Sequence, residues 1–161
     1  DRLWPGASYR MHRWDLTLSR EVDVIQGACM ILRKEALDQV GFFDERFFIY
    51  TEEVDLCYRL RQAGWKIQWV PQAEVVHLGG QSTSQAAPEM FIRLYQSKHQ
   101  FIQKHYGWLA ALSYKFILFI ISMPRLMLLP LGWVKPIPKH ENFRNLGANY
   151  LRLLTFLPRM R

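Results

Sequence analysis

The sequence predicts an α/β domain that is followed by a helical tail of apolar and basic residues. Up to residue 107, short helical patterns are interspersed with segments whose apolar and polar residues alternate, as in half-buried strands. One stretch, residues 41–82, combines an acidic cluster, a turn, a strand pattern and an isolated histidine. From residue 108 onwards, the composition becomes apolar and basic. With 161 residues, 50% of them hydrophobic, the chain can bury a core of ordinary size.

The first forty residues predict a loop, a strand and a helix. Residues 1–20 are rich in aromatic residues and arginine but lack periodicity, which favours a loop more than a surface for nucleic acid. Residues 22–31 are apolar enough for a buried strand, in which Gly27 allows close backbone approach. Residues 34–40 show a short helical pattern that ends at Gly41.

Both cysteines are expected to be buried. Cys29 and Cys57 lie in apolar patterns, and no Cys/His spacing suggests a zinc site. We therefore expect reduced thiols in a cytosolic compartment. Ala28 lies beside Cys29 in the same apolar pattern, so it is also expected in the core.

An acidic cluster begins the next helical pattern. Glu52, Glu53 and Asp55 precede an apolar stripe, and Gly64 is a suitable stop. The helix dipole favours such charges by roughly 0.3–1 kcal/mol each, so capping alone would explain them. Aromatic side chains that precede the cluster would desolvate a carboxylate, raise its pKa and suit it to accept a proton from a substrate hydroxyl. These aromatic residues are Phe42, Phe43, Phe47, Phe48 and Tyr50.

Two strands are predicted after this helix. Residues 65–70 alternate in the manner of a half-buried strand, and Pro71 ends it. A second short strand over residues 73–76 leads to His77. A lone histidine at the end of a strand is more often structural than a ligand.

Taken together, these residues resemble the family 2 glycosyltransferases, the inverting nucleotide-sugar enzymes of the GT-A fold, and especially the bacterial rhamnosyltransferase-like group. The matching segments are 27–30 with Arg33, 40–45, 47–50, 52–57 with Arg59, 63–65, and His77 followed by Gly80 and Ser82. The resemblance covers about residues 20–107 and implies the C-terminal half of a GT-A fold. Since no Gly-rich phosphate loop, βαβ pattern or Asp-x-Asp precedes it, we expect a portion of a longer enzyme that is inactive by itself.

The resemblance also implies roles for individual residues. Glu53 occupies the position of the family's catalytic base, where the family has aspartate; the extra methylene moves the carboxylate by about 1 Å, and Asp55 is the alternative base. His77 occupies the position of a histidine that helps to hold Mg²⁺ or Mn²⁺ on the donor's diphosphate. The positions that would bind substrate are Gly27, Ala28, Glu52, Arg59 and Trp65.

The tail begins after one more long helix. Residues 83–88 predict a flexible loop, either a lid or a linker, and residues 88–106 a helix. Residues 108–134 are apolar apart from Lys115 and Arg125, and their longest uncharged stretches have nine residues. A membrane span needs about 20 such residues. A break at Pro124-Arg125 therefore favours an interfacial or re-entrant hairpin over a span or a soluble helical cap.

The charge distribution completes the prediction. Residues 108–161 hold eight basic residues and one acidic residue, a net charge of +7 that equals that of the whole chain. Each such charge favours anionic lipid by about 1 kcal/mol, which predicts attachment to the cytoplasmic face of the cell membrane, peripheral or re-entrant.

The sequence thus predicts two parts with one function. Residues 1–107 would be the acceptor side of a GT-A catalytic domain, and residues 108–161 a membrane-associated tail. The protein would transfer a sugar, rhamnose-like, from a nucleotide-sugar donor to a lipid-linked or polysaccharide acceptor with inversion. The alternative is a non-catalytic, membrane-associated docking module. No nucleic acid partner is expected.

Overall fold

The structure, a computed structural model, describes residues 15, 17–77, 87–127 and 140–160. It divides into two compact units, Asp1–Gly79 and Gly80–Arg161. The first unit contains β1 (Arg20–Val22), α1 (Lys34–Val40), α2 (Glu52–Gln62) and β2 (Ile67–Trp69). The second contains α3 (Ala87–Met127), α4 (His140–Phe156) and a closing 3₁₀ helix (Leu157–Arg159).

β1 and β2 form a two-stranded antiparallel sheet. Arg20 pairs with Trp69 and Val22 with Ile67. Val22 and Ile67 are buried against Cys57 of α2, so the strand predicted within residues 65–70 is confirmed. The long strand predicted over residues 22–31 is wrong beyond its first residue. Its partner strand has only three residues, and the chain turns at residues 27 and 28.

The strand predicted over residues 73–76 is also wrong. After Pro71, the chain makes a turn in which the Ala73 N–H donates to the Val70 carbonyl at 3.4 Å. The next residues are without regular structure, and Val75 and Val76 are 57% and 88% exposed. Alternating apolar residues need a neighbouring strand to form a ladder, and the described residues offer none at this point.

α1 and α2 match their predicted bounds because both end in local signals. Gly41 follows α1 with a φ of +81°, and Gly64 follows α2 with a φ of +87°. After α2, the Trp65 N–H donates to the Leu60 carbonyl and the Gly64 N–H to the Arg61 carbonyl, both at 3.0 Å. This is a Schellman motif, in which glycine takes the left-handed position.

The core between α1 and α2 is small and aliphatic. Leu56 and Leu60 of α2 pack against Ala36 of α1, with Trp65 partly buried beside them. Each of the three aliphatic residues is at most 5% exposed. The two helices are therefore held by hydrophobic contact and not by the sheet alone.

α3 has two limbs, residues 87–106 and 108–127. Gly107 interrupts it with φ 84° and ψ 176°, so the helix predicted over residues 88–106 is confirmed. The break predicted at Pro124-Arg125 is wrong, because the helix continues through Pro124 to Met127. Near a helix end, proline costs a single backbone donor, whereas the conformation at Gly107 suits glycine.

The second unit has its own core. Leu118 of α3 packs against α4 and the 3₁₀ helix, and the aromatic rings of the first limb of α3 cover this cluster. Its buried members are Leu118, Tyr150, Leu153, Leu157 and Met160.

One helix is long and apolar enough to cross a membrane, as judged by length and composition within the described residues. It runs from Pro88 to Pro124, and only 17% of its most apolar part is buried in the protein. A core helix of a soluble protein would be mostly buried. Residues 128–134, the last part of the predicted hairpin, lie outside the described ranges.

Candidate active site

The backbone is strained immediately before α2. Tyr50 and Thr51 both have positive φ, 65° and 73°. Thr51 is the N-cap residue, is 8% exposed, and accepts the Asp55 N–H at 2.8 Å through its carbonyl. A non-glycine residue in this region costs on the order of 1–3 kcal/mol, and a β-branched one is a true outlier. Such strain is concentrated at functional sites.

Glu53, in the first turn of α2, has a carboxyl group whose pKa differs from its ordinary value. It is half-buried, and burial raises the pKa of its carboxyl group. The charge of Glu52 acts in the same direction, while a backbone hydrogen bond to Glu53 opposes the rise in pKa. The raised pKa expected for a carboxylate in this turn is thus confirmed at Glu53.

Gly27 lies near the Cβ of Glu53. A Cβ placed on Gly27 would stand 3.7 Å from the Cβ of Glu53, an ordinary van der Waals distance. The turn at residues 27 and 28 is exposed at the surface of the unit. The prediction of a core position for Ala28 and Cys29 is wrong, since both are exposed; Cys57 is buried as predicted, and both thiols are free.

Glu52 adds an acceptor without a partner. Its Oε2 atom is buried and accepts no hydrogen bond within the described part of the chain. A buried acceptor without a donor costs about 1–3 kcal/mol. Glu52 and Glu53 therefore present one unsatisfied acceptor and one carboxyl of raised pKa on the same turn.

Asp55 has a different environment. It is completely buried, and its Oδ2 accepts the Nε–H of Arg59 at 2.8 Å. The Arg59 guanidinium also donates to three backbone carbonyls, those of Val40, Gly41 and Phe42. The pair thus ties the segment after α1 to the first turn of α2. Sequence reasoning missed these contacts of Arg59, although the i, i+4 spacing of Asp55 and Arg59 is a signal for an ion pair.

Trp65 lies away from these carboxylates in sequence and packs on the other end of α2. Its Nε1–H donates to Gln39 Oε1 at 2.8 Å, and its ring packs against the aliphatic core between α1 and α2. Trp65 therefore joins the end of α1 to the end of α2.

The aromatic residues before α2 do not form a buried wall. Phe47 is 6% exposed, but Phe42, Phe43 and Phe48 are 70%, 47% and 76% exposed. The expectation that the whole aromatic segment desolvates the carboxylates is therefore wrong for these three side chains. They form instead an exposed aromatic surface, part of which Arg59 holds through the Phe42 carbonyl at 2.7 Å.

His77 is exposed on the segment after β2. Within the described ranges, no group of three or more His, Cys, Asp or Glu side chains is placed to hold a metal ion. The chain's own described donors therefore do not make a site that fits Mg²⁺ or Mn²⁺, and the role of His77 stays a prediction. Gly80, Ser82 and the predicted loop at residues 83–88 lie mostly outside the described ranges.

Comparison with known proteins gives a consistent result. The family described as glycosyltransferase like family 2 matches residues 7–95. An N-acetylglucosaminyl-diphospho-decaprenol L-rhamnosyltransferase of Mycobacterium tuberculosis is 38% identical over 111 residues, which is 66% of this chain and 36% of that protein. The chain thus spans about a third of the length of this relative.

Two further relatives match shorter segments. The rhamnosyltransferase WbbL of Escherichia coli is 38% identical over 56 residues, 35% of this chain and 21% of that protein. A low-salt glycan biosynthesis hexosyltransferase of Haloferax volcanii is 33% identical over 58 residues, 36% of this chain and 19% of that protein. No solved structure gives a significant match. Because the family match covers more than half of its residues, the chain belongs to the glycosyltransferase like family 2.

Proposed function

We propose that this chain supplies the acceptor-side part of an inverting glycosyltransferase, with Glu53 as the catalytic base. Family membership implies the GT-A fold and a transferase. The observation that carries the proposal is a half-buried carboxyl of raised pKa, Glu53, on a strained turn beside Gly27. The donor would be a nucleotide sugar, rhamnose-like, and the acceptor a lipid-linked or polysaccharide glycan, in keeping with the names of the relatives.

The proposed step is a single displacement. The acceptor's hydroxyl oxygen forms a bond to the anomeric carbon while the bond from that carbon to the nucleoside diphosphate breaks. The hydroxyl proton passes to a carboxylate oxygen of Glu53, and the diphosphate leaves with the bonding electron pair. A base whose pKa lies nearer to the working pH holds that proton better, and Glu53 has the direction of shift that this requires.

The proposal assigns the base to Glu53 instead of Asp55. Asp55 is completely buried and is bound to Arg59, so its carboxylate has a partner already. We assign the pair to positioning: it fixes residues 40–42 against the helix that carries Glu53. The unsatisfied oxygen of Glu52 would accept a hydrogen bond from the acceptor sugar.

The remaining predicted residues have subsidiary places in the proposal. Gly27 and Ala28 leave room for a sugar beside Glu53, since their turn is exposed. Trp65 supports the end of α2 and does not need to touch substrate. His77 would serve as one ligand of Mg²⁺ or Mn²⁺ only if further ligands came from outside the described residues.

The proposal also includes a location. We place the protein at the cytoplasmic face of the cell membrane, peripheral or re-entrant, with residues 108–161 as its membrane-associated part. The supporting features are the net charge of +7 in that part and the long apolar helix. The proposed functional boundary at residue 107 coincides with the bend in α3.

Transfer of labelled sugar tests the assignment of the base. The natural full-length protein would be given a panel of nucleotide sugars and a diphospho-polyprenyl glycan acceptor. We expect Glu53→Gln to lower kcat by roughly 10²–10⁴ while donor binding persists. Glu53→Asp should retain most of the activity, and Glu45→Gln, an exposed carboxylate outside α2, is the matched control.

Two outcomes would contradict the proposal. Near-normal turnover by Glu53→Gln would remove Glu53 from the reaction. Failure of the intact protein to transfer any sugar, with membrane binding retained, would favour the non-catalytic docking module.

A further inference from the structure

The second limb of α3 has an exposed side without charge. Within residues 108–121, every large side chain on this side is apolar and between 39% and 67% exposed. We call this side the apolar face; it consists of Trp108, Leu109, Leu112, Phe116, Ile117, Phe119, Ile120 and Ile121. Among residues 108–121, the small side chain of Ser113 is the polar group exposed on this side.

Two serine hydroxyls of the same limb are satisfied within the helix. Ser113 donates to the Leu109 carbonyl at 3.0 Å, and Ser122 donates to the Leu118 carbonyl at 2.6 Å. Neither hydroxyl therefore needs water or a partner on the outer side. Satisfaction of polar groups inside the helix is what a hydrocarbon environment demands.

Lys115 is the one charged residue within residues 108–121, and it does not belong to the apolar face. It is half-buried, and its Nζ donates to the Met160 carbonyl at 2.6 Å. That carbonyl lies just past the 3₁₀ helix, where a cation also interacts favourably with the helix dipole. Lys115, which interrupts the apolar segment in the sequence, therefore links α3 to the end of the chain by a hydrogen bond.

We infer that the apolar face contacts the acyl chains of a membrane, and that the Lys115–Met160 bond keeps this face free of charge. The inference rests on the membrane location proposed above and names the surface responsible. The neighbouring charge supports lipid over a soluble partner, since residues 108–161 carry eight basic residues and one acidic residue. The apolar face covers one side of the helix, while Leu118 on the other side packs against α4, an amphipathic arrangement that suits a helix lying along one leaflet.

Flotation with neutral phosphatidylcholine vesicles tests the face without electrostatic attraction. The full chain should bind, and Ile117→Lys should weaken binding at least about tenfold by placing a charge in the acyl region. Gln103→Lys is the matched control, because it adds the same charge at an exposed position of the first limb. It should change binding by less than about twofold.

Binding to vesicles that contain one quarter phosphatidylglycerol tests whether the charge of Lys115 faces the lipid. Arg152→Met removes an exposed charge of α4 and should weaken binding about fivefold. Lys115→Met removes the same charge and should leave binding within about twofold of wild type, because Lys115 is turned inward. If Lys115→Met fails to fold by circular dichroism, Lys115→Gln keeps a donor for the Met160 carbonyl and replaces it.

Each other result has a defined meaning. If the wild-type chain binds neither vesicle, the membrane location itself is wrong. If it binds but Ile117→Lys binds equally well, or Lys115→Met loses as much as Arg152→Met, only the surface assignment is wrong. If Ile117→Lys converts a dimer to a monomer without altering vesicle binding, a second copy covers the face and the inference is overturned. None of these results depends on sugar transfer.

Discussion

At the scale of single residues, the carboxyl group of Glu53 makes the free energy of unfolding depend on pH. Its pKa is raised in the folded protein, mainly by burial, above the ordinary value of 4.5. At pH values between 4.5 and the raised pKa, the Glu53 carboxyl group is protonated to a greater extent in the folded chain than in the unfolded chain. The free energy of unfolding contributed by Glu53 therefore falls as pH rises through this window and stays low above it.

Glu53→Gln should accordingly be more stable than wild type at neutral pH, because it removes a charge that burial disfavours. This advantage should shrink as pH falls through the folded pKa towards 4.5 and should be smallest below it. Urea unfolding between about pH 4 and 8 measures it. The exposed Glu35→Gln is the matched control, and a variant that is less stable than wild type at neutral pH would contradict the argument.

The sequence predicted the direction of this pKa shift but not its cause. Aromatic residues next to Glu53 in sequence suggested desolvation, yet Phe42, Phe43 and Phe48 are exposed. Gly27, 26 positions earlier, is one residue whose backbone lies near the Cβ of Glu53. Contacts across such a separation follow from packing, which a local pattern does not encode.

The Asp55–Arg59 pair also shows that a local sequence pattern does not predict contacts between distant residues. Its i, i+4 spacing was visible in the sequence, but the carbonyls that Arg59 also binds belong to residues 17 to 19 positions away. Two carboxylates two positions apart thus have different environments: Asp55 is paired inside the protein, whereas Glu53 is held at the surface of the unit. The proposal of Glu53 as the base and of Asp55 as a positioning residue rests on this difference in burial and not on residue type.

At the scale of elements, the bounds of α1 and α2 and the place of β2 were predictable, whereas the length of β1 was not. α1 and α2 have the predicted bounds because periodicity and a following glycine are local signals. β1 ends at Val22 because β2 has only three residues with which to pair. The length of a strand is set by its partner, so the apolar run that follows Val22 predicted too long a strand.

Gly64 allows a quantitative test of the helix end. A Cβ at this position would meet nothing within 4 Å, so the cost of Gly64→Ala is conformational alone. With a φ of +87°, it should lower the free energy of unfolding by about 1–2 kcal/mol. Gly27→Ala is the matched control: its φ is not positive and its new contact, at 3.7 Å, is ordinary, so its stability should be close to wild type.

Urea denaturation of both variants decides the matter. Equal stability of Gly64→Ala and wild type would mean that the Schellman motif contributes nothing. A large loss with Gly27→Ala would mean that the turn beside Glu53 is more tightly packed than the 3.7 Å distance indicates.

At the scale of the whole molecule, composition and packing divide the chain at different places. The change to apolar and basic residues suggested a boundary at residue 107, and this boundary stays a prediction; Gly107 interrupts α3 at the same place. The compact units, however, divide between Gly79 and Gly80, and the family match extends to residue 95. The first limb of α3 explains why the boundary in composition and the boundary between the compact units differ. It shares the polar composition of the residues before it but packs with the residues after it.

This packing leads to a prediction about shortened chains. Phe91, Ile92 and Tyr95 of the first limb cover the cluster formed by α3 and α4, and the rings of Phe91 and Tyr150 meet nearly edge-on with centroids 5.3 Å apart. Loss of one such aromatic side chain costs about 3–5 kcal/mol, comparable with the whole stability of a unit of this size. Residues 80–161 should therefore fold as a unit, and residues 108–161 should not.

Circular dichroism with urea unfolding in mild detergent would compare the two chains. We expect a cooperative transition for residues 80–161, a lower midpoint for the same chain with Phe91→Ala, and a broad, non-cooperative change for residues 108–161. A midpoint for residues 108–161 equal to that of residues 80–161 would show that the first limb adds no stability. The membrane-associated part would then begin at residue 108, where the composition changes, and the contacts of Phe91 and Tyr150 would serve only to orient the limb.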